Sequence, residues 1–379
     1  MSRILITSTY FYPYISGLSL YPYRLAKLLV KQGHQVSVLT FQHEPKLLKT
    51  ETIHQIKIIR LTPHLTVTKG LINFLYPFNA LKQVISNDQI LVNCPGPENV
   101  WVSLLARLLG KKLIVLYHCD LELQQPWYYK PISQLVNFSS WLCCLLANRI
   151  ISSSQVYTTS SSVLKYFRQK VSYHHPLTED LKADTHYLKI LKKTYQGTSP
   201  VIGFVGRFSQ EKNLETLILA LSKLKKQYPK LLFVCAGPFS SQVVGEKKYY
   251  QRIQTLLSEL ELNYAILGIL PEAKLQAFFA FIDLLVLPSK NRTEAFGIVQ
   301  IEALKQGTPV VAANSPGIDQ VLKISKAGAL FKPSSEKDLQ KQIVHVFKHL
   351  KTYQIKAKQV EKSLELKRSE KSLLKLFSL

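Results

Sequence analysis

The chain has 379 residues, of which 46% are hydrophobic and 19% charged, which is typical of a folded globular protein and excludes a disordered one. Because one hydrophobic core rarely grows to this size, two domains are expected. The net charge of +25, from 49 Lys and Arg against 24 Asp and Glu, favours anionic partners such as phosphate-bearing ligands, nucleic acid or an acidic membrane surface. A solvated basic surface with no specific partner explains the charge as well.

The first residues, MSRILITSTYFYP, have an apolar stretch too short for a secretory leader and predict a first strand instead. No stretch reaches about 18 consecutive apolar residues, so a membrane-spanning helix is not expected. We expect a cytoplasmic protein, soluble or peripheral on the inner face of the membrane. A reducing compartment fits the cysteines, which show no CxxC pair and no metal-ligand spacing (Cys94, Cys119, Cys143, Cys144 and Cys235).

In the first half, short apolar runs alternate with segments of helical period, as in repeated βα units. The first helix has apolar positions Leu25, Leu28 and Leu29, tolerates Pro22 near its start, and ends at Gly33. The predicted strands are Ile4–Thr7, Val36–Thr40, Ile56–Leu61, Ile90–Asn93, Leu113–Leu116 and Arg149–Ser152.

The second half repeats this pattern, so we predict an α/β protein with two doubly wound, Rossmann-like parallel sheets. We expect domains at 1–180 and 195–355, then a basic C-terminal helix at 356–379. Ligands of such sheets bind at the carboxyl ends of the strands. The predicted strands of this half are Val201–Val205, Leu231–Ala236, Tyr264–Leu267, Leu284–Pro288, Pro309–Ala313 and Ala329–Phe331.

Two glutamates bound the segment EAFGIVQIE, between the strands LLVLP and PVVAA. If the segment is helical throughout, Glu294 and Glu302 lie about 12 Å apart along the axis and turned by about 80°, so both can line one cleft. That separation suits a sugar and a ribose joined by a diphosphate. Phe296, Gly297 and Ile298 would offer backbone N–H groups to an anion at the helix N-terminus. In the alternative interpretation, Glu294 only interacts favourably with the helix dipole and Glu302 lies on a solvated face of the helix.

The segment VIGFVGRFSQEKN places Gly206 at a strand end and Arg207 and Lys212 in the loop that follows. Two cations beside a helix start can neutralise a diphosphate, and the guanidinium can do so with two hydrogen bonds. Taken alone, Lys212 could equally be an exposed lysine flanking the helix.

The combination of GRFSQEKN and EAFGIVQIE resembles the retaining glycosyltransferases of glycosyltransferase family 4, which have the GT-B fold. The resemblance continues along most of the chain, through SGLS, KQGHQVSVLT, CAGP, FIDLLVLPS and GTPVVAANSPGIDQVL. Two positions depart from the family's paired glycines, since Leu18 follows Gly17 and Gly317 stands alone. The resemblance implies two domains facing across a cleft, with the C-terminal helix crossing back to the first domain.

The resemblance also implies residue roles. The first domain would bind the acceptor, and the second the nucleotide-sugar donor. Arg207 and Lys212 would bind the donor diphosphate, next to Gly206. Glu294 and the amides near Phe296, Gly297 and Ile298 would bind the sugar and phosphates, and Glu302 the ribose. His118, at the end of LIVLYH, matches a donor-site histidine, although a histidine there is often structural. Gly17 matches the glycine loop that approaches the phosphates.

The reaction implied is transfer of a hexose-type sugar with retention of configuration, in which the leaving phosphate takes the acceptor's proton. No cofactor and no metal ion are expected, because family members hold the diphosphate with cations of the protein. The triplet Asp120-Leu121-Glu122, which looks like an acidic metal motif, is therefore not assigned to a metal.

The acceptor is less clear from the sequence, and a lipid-linked or cell-surface glycan precursor is our hypothesis. Residues 131–148 carry no charge and form two apolar helical stripes, one with Ile132, Leu135, Val136, Leu142 and Leu146 and one with Phe138, Trp141 and Leu145. Such a helix is either covered on both sides or touches lipid with one face. The aromatic segment Leu71–Gln83 has the same two interpretations.

Other classes of protein remain open on sequence grounds. A nucleotide-sugar epimerase has a similar architecture, and an inactive sugar-nucleotide-binding homologue would carry the same motifs. Nucleic-acid binding has no recognition motif in support, so no nucleic-acid partner is expected. A dinucleotide oxidoreductase is disfavoured because no GxGxxG follows the first strand.

Overall fold

The structure, a computed structural model, describes residues 1–67, 70–122, 130–179, 181–239, 246–289, 294 and 296–378. The chain divides into two compact units. The first consists of Met1–Leu177 together with Leu366–Leu379, and the second of Thr178–Glu365. Within the described ranges, no helix is long and apolar enough to cross a membrane.

The first unit is built on an eight-stranded sheet with the order β10-β9-β8-β7-β1-β2-β4-β3. All pairs are parallel except β3 with β4, which form a hairpin at one edge. A separate antiparallel hairpin is formed by β5 and β6. The strands are β1 (Arg3–Thr7), β2 (Gln35–Phe41), β3 (Thr50–Ile53), β4 (Ile56–Leu61), β5 (Leu65–Val67), β6 (Gly70–Ile72), β7 (Gln89–Cys94), β8 (Lys112–Tyr117), β9 (Arg149–Ser152) and β10 (Val171–Tyr173).

Helices cover the first sheet because its strands carry apolar residues almost throughout, as parallel strands buried on both faces do. Helix α1 packs Leu25 and Leu29 on Ile4 and Ile6 of β1. Helix α3 lies between α2 and α4 and contacts β7 and β8. These helices are α1 (Gly17–Lys31), α2 (Tyr76–Ile85), α3 (Asn99–Leu108), α4 (Lys130–Leu146) and α5 (Gln155–Ser160).

The second unit has a six-stranded, fully parallel sheet with the order β13-β12-β11-β14-β15-β16. Its strands are β11 (Val201–Val205), β12 (Leu232–Ala236), β13 (Tyr264–Ile266), β14 (Leu284–Leu287), β15 (Val310–Ala313) and β16 (Gly328–Phe331). Its helices are α6 (Thr185–Thr194), α7 (Leu214–Leu224), α8 (Lys247–Glu259), α9 (Glu272–Phe281), α10 (Ile298–Lys305), α11 (Asp319–Ser325), α12 (Glu336–Lys348), α13 (Leu350–Tyr353) and α14 (Ala357–Ser363). The predicted class, two doubly wound parallel sheets, is confirmed, and each predicted strand is present to within a residue or two at its ends.

The boundaries of the units differ from those expected. Helix α6 precedes residue 195 but packs on α9, and the Asp184 N–H donates to the carbonyl of Ala273, so the second unit begins earlier. Residues 356–379, expected to form one helix, form α14 and α15 (Leu366–Lys375), because the chain turns at Glu365 with φ 47°. Leu379 lies outside the described residues.

The last helix belongs to the first unit, as the resemblance implied. Leu373 and Phe377 are fully buried in the first unit's core with Ile4 and Ile6. The carbonyl of Phe377 accepts a hydrogen bond from the Gln89 side chain at 2.8 Å. The C-terminal segment therefore completes the first core.

Candidate functional site

In the second unit, the strand order reverses between β11 and β14, so the chain leaves these two neighbouring strands in opposite directions. Such a reversal opens a crevice at the carboxyl ends of the strands, which is where ligands of doubly wound sheets bind. Arg207 and Lys212 follow β11, and Glu294 follows β14. The predicted site residues of this unit therefore lie at its topological switch point.

Lys212 and Glu294 form an ion pair, with the ammonium Nζ donating to the carboxylate Oε2. Only 14% of the Lys212 side chain and 21% of the Glu294 side chain are exposed. The two residues are 82 positions apart in sequence and follow β11 and β14, which are neighbours in the sheet. Arg207 donates from Nη2 to Oε1 of Glu211 at 3.0 Å. Each predicted cation is thus held beside a carboxylate.

Close backbone approach shapes the loop after β11. The Gly206 N–H donates to the carbonyl of Ala236, and a Cβ at Gly237 would lie 2.2 Å from the carbonyl oxygen of Gly206. Gly237 also has φ 134°. Asn213 adopts φ 53° directly before α7 and turns the chain into that helix. The GR-x-x-x-x-K loop is consequently confined to a narrow path at the sheet edge.

Helix α10 begins at Ile298, with Gly297 as its N-cap at φ 73°. A Cβ at Gly297 would lie 2.7 Å from Leu287 Cδ2 and 2.8 Å from Gln300 Nε2, so no other residue fits without displacement. Gln300, fully buried, donates from Nε2 to the carbonyls of Phe296 and Ile318. These contacts hold the helix start in place.

The segment from Glu294 to Glu302 is not helical throughout, which was the condition for the spacing calculated from the sequence. Glu294 precedes α10 in irregular structure, because the left-handed conformation of Gly297 interrupts any helix there. Glu302 lies on α10 and is buried, with 3% exposure. The separation calculated for a helix therefore does not apply, and Glu294 is positioned by Lys212 instead.

In the first unit the strand order reverses between β1 and β7, and the predicted residues lie near this second switch point. His118 follows β8, and Gly17 is the first residue of α1, after β1. A Cβ at Gly17 would meet nothing within 4 Å, and its φ is not positive, so the backbone conformation does not require glycine. The missing side chain leaves open space at the helix start.

Asn93, the penultimate residue of β7, links these elements, and the sequence analysis missed it. Its Nδ2 donates to the carbonyl of Leu18 at 2.9 Å and to Ser8 Oγ at 2.9 Å. Leu18 has this carbonyl available because Pro22, four residues on, lacks the N–H that would bond to it within α1. A polar residue at the end of an apolar strand was the sequence signal.

The amide orientation of Asn93 fixes the proton on His118. Because Nδ2 faces the carbonyl of Leu18, which can only accept, Oδ1 faces Nε2 of His118 at 2.5 Å. Nε2 must then be the donor. Burial lowers the pKa of His118 to about 3. The imidazole is therefore neutral at pH 7, with its lone pair on Nδ1.

Glu98 is a second group that the sequence analysis missed, at the N-terminus of α3. Its Oε1 accepts a hydrogen bond from Thr9 Oγ1 at 2.5 Å, and its Oε2 is buried without a hydrogen-bond partner among the described residues. Burial raises the pKa of Glu98 to about 7. Nothing in the segment PGPENVW distinguishes this glutamate from a helix-capping one.

The acidic triplet after β8 does not resemble a metal site. The carboxylate of Asp120 accepts hydrogen bonds from Tyr117 Oη, Ser161 Oγ and both the N–H and Oγ of Ser162. It therefore anchors the loop after α5. In the described part of the chain, no three His, Cys, Asp or Glu side chains are grouped as a metal site would need.

Two family models match the chain in succession. Residues 15–175 match the model for Glycosyltransferase Family 4, and residues 189–362 match that for Glycosyl transferases group 1. D-inositol 3-phosphate glycosyltransferase of Corynebacterium urealyticum is 33% identical over 138 residues, 35% of this chain and 31% of that protein. Sulfoquinovosyl transferase of Arabidopsis thaliana is 24% identical over 263 residues, 66% of this chain and 48% of that protein. Both matches span less than half of the relative's length.

A solved structure supports the same fold. Anabaena HepE in complex with UDP-glucose has a TM-score of 0.80 at 18% identity, covering 100% of this chain and 99% of that one. The fold is therefore GT-B, with two Rossmann-like units. Between them the two family models span most of the chain, which is therefore similar to glycosyltransferases along most of its length.

Proposed function

We propose that this protein transfers a hexose-type sugar from a nucleotide diphosphate sugar to an acceptor hydroxyl, with retention of configuration. The observation that carries the proposal is the group of charges at the second unit's switch point, where Arg207 and Lys212 follow β11 and Lys212 pairs with Glu294, four residues before α10. Two cations and a helix N-terminus at the carboxyl edge of a parallel sheet form a site suited to a diphosphate.

The ion pair of Lys212 with Glu294 suits the proposal. Lys212 and Glu294 neutralise each other, so neither charge is buried alone before the donor arrives. A bound diphosphate would take over Lys212, and Glu294 would then accept hydrogen bonds from sugar hydroxyls. We assign Phe296, Gly297 and Ile298 to the phosphate side of this site and Glu302 to the ribose, as the resemblance implies.

In the first unit, the neutral His118 suits a group that accepts or donates a hydrogen bond to a sugar hydroxyl without adding charge. We assign it this role, with Gly17 leaving room for the phosphates. Asn93 is a positioning residue, since it acts through His118.

The reaction then balances without a protein nucleophile or a cofactor. The acceptor oxygen bonds to the anomeric carbon on the face from which the phosphate leaves, and the bond from that carbon to the phosphate oxygen breaks. The acceptor proton passes to the leaving phosphate. Arg207 and Lys212 stabilise the negative charge that grows on the diphosphate, which is the main contribution expected of the protein.

The acceptor is proposed as a lipid-linked or cell-surface glycan precursor, reached at an anionic membrane surface. The net charge of +25 and the uncharged run within helix α4 support this finer proposal. HepE, the structural neighbour above, was solved with UDP-glucose, so a uridine donor is the first to test.

A thermal-shift series with UDP-, GDP- and ADP-sugars tests donor binding, because a ligand that binds only the folded state raises the unfolding temperature. We expect one nucleotide-sugar to stabilise the protein and a Lys212→Ala variant to lose most of that shift. No shift with any donor would overturn the proposal. Epimerisation of the donor without an acceptor would favour the epimerase alternative. Donor binding without turnover on any lipid-linked acceptor would favour the inactive homologue.

A further inference from the structure

Helix α4 buries its small polar face and exposes its large apolar one. Its buried residues are Ser133, Ser139, Ser140, Cys143 and Cys144. The exposed face carries Leu135 at 65%, Phe138 at 57% and Leu145 at 46% exposure, spaced three and seven residues apart. A helix facing water on one side shows the reverse arrangement. The interpretation of α4 as a helix covered on both sides is therefore wrong, because the large apolar side chains of its outer face are exposed.

The same feature continues over α3 and α2. On α3 the exposed side chains are Trp101, Leu104 and Leu108, the last at 81% exposure. On α2 and the turn before it they are Phe74, Leu75, Phe78, Leu81 and Ile85, with Phe78 at 71%. Because α3 packs against both neighbours, these residues form one surface, which we call the apolar face. More than half of the exposed large apolar side chains in the described residues lie between residues 65 and 145.

The charges on these helices have one sign. None of the segments 76–85, 99–108 and 130–146 contains Asp or Glu, whereas each contains one exposed cation, namely Lys82, Arg107 or Lys130. Apolar side chains flanked by lysine and arginine suit the boundary between acyl chains and anionic headgroups. Trp101 and the stacked rings of Phe138 and Trp141 suit that boundary too.

We propose that the apolar face docks this protein onto an anionic lipid bilayer. Large contiguous apolar patches are uncommon on soluble monomers and mark interaction sites. A second copy of the chain is a poorer occupant, since a symmetric contact would bring the same cations of two molecules with net charge +25 together. Docking would bring the protein to the membrane-surface acceptor that we propose above. In this respect alone the docking face rests on the proposed function.

Flotation with lipid vesicles tests the face directly. We expect the full chain to float with vesicles of phosphatidylcholine and phosphatidylglycerol, and far less with phosphatidylcholine alone. Replacing Phe78, Trp101 and Phe138 with Ser should abolish flotation, although the chain should fold, because these side chains are exposed. A matched control replaces Tyr166, Ile190 and Ile269, which are exposed elsewhere, with Ser.

Charge reversal gives a second, independent variant. Each cation at an anionic surface strengthens partitioning by about fivefold, so Lys82→Glu with Arg107→Glu and Lys130→Glu should weaken it by on the order of a hundredfold or more. The control is the same reversal at Lys226, Lys230 and Lys337, which are exposed in the second unit. If both charge-reversal variants lose vesicle binding to the same extent, the effect comes from the overall charge of the protein, and the docking face is overturned.

The remaining outcomes separate the proposals. A chain that fails to float but still shows a donor-dependent thermal shift overturns the docking face and leaves the transferase proposal standing. A chain that floats but shows no donor-dependent thermal shift overturns the transferase proposal and leaves the docking face standing. Light scattering that finds a dimer, converted to a monomer by the three Ser substitutions, would assign the face to a second copy and overturn the lipid assignment.

Discussion

Nε2 of His118 donates a hydrogen bond to Oδ1 of Asn93, at 2.5 Å, and this contact determines which nitrogen of the imidazole carries the proton. Asn93 is itself oriented by the carbonyl of Leu18, which Pro22 leaves without a helical partner. A proline inside α1 therefore fixes a tautomer at the end of β8. The consequence is a neutral histidine that can accept one further hydrogen bond.

Asn93→Asp should raise the pKa of His118 by about one to three units, since a carboxylate beside Nε2 favours the imidazolium. In the native protein the pKa of His118, about 3, lies below that of the unfolded chain. The unfolded state thus binds the extra proton, and stability falls as pH drops from about 6.5 towards 3. NMR titration of the imidazole checks this. Asn148→Asp, where the side chain accepts from the Leu113 N–H, should leave His118 unchanged.

Lys212→Met and Glu294→Gln should each lower kcat/KM by about a hundredfold to a thousandfold, the usual effect of removing a group that stabilises transition-state charge. Each should also cost about 1–3 kcal/mol of stability, because the partner remains largely buried and unpaired. The exposed pair Lys223 and Glu336 is the control, where loss should cost less than about 1 kcal/mol and leave activity intact. Full turnover in the Glu294 variant would contradict the site assignment.

Gly297→Ala should destabilise the second unit by about 1–3 kcal/mol and weaken donor binding. The new Cβ would meet Leu287 and Gln300 and would hold an alanine at φ 73°. Gly197→Ala separates the two causes, because Gly197 has φ 83° but nothing within 4 Å. Chemical unfolding and donor titration are the measurements. Equal effects at both positions would mean that backbone strain alone is responsible.

Glu98→Gln should stabilise the protein at pH 8 and change little at pH 4.5. With a pKa of about 7 against about 4.5 in the unfolded chain, the folded state binds the proton more tightly. The contribution of protonated Glu98 to the free energy of unfolding is fully present below about pH 4.5. It falls by on the order of 1–3 kcal/mol as the pH rises through about 7. Unfolding temperatures across this range test the claim. An unchanged pH dependence in Glu98→Gln, or the same change in the exposed Glu122→Gln, would refute it.

Phe377→Ala should destabilise the first unit by about 3–4 kcal/mol. Its ring is fully buried in the core with Leu373 and Ile6, so truncation leaves a cavity. Lys375→Ala, on the exposed side of α15, is the control. Urea unfolding measures the difference, and a loss below about 1 kcal/mol would contradict the packing described.

Much of the fold could be predicted because buried parallel strands are apolar on both faces and stand out as short runs. The missed strands β3, β5, β6 and β10 are short, and their residues are mostly exposed or half-buried, so their apolar signal is weak. The loops that carry the predicted site residues could be located because parallel strands bring the polar residues that follow them to one edge of the sheet. The spacing calculated for a continuous helix from Glu294 to Glu302 does not apply, because the sequence does not reveal the left-handed conformation of Gly297.

The sequence by itself determined the two sheets, the loops that carry Arg207, Lys212, Glu294 and His118, and the two apolar stripes of α4. Only the tertiary structure decided that Lys212 pairs with Glu294, that Asn93 orients His118, and that α4 exposes its larger side chains. The periodicity of apolar residues gives only their spacing along one helix or strand. Which groups meet, and which stripe is buried, depends on the elements packed beside it, and those come from distant parts of the chain.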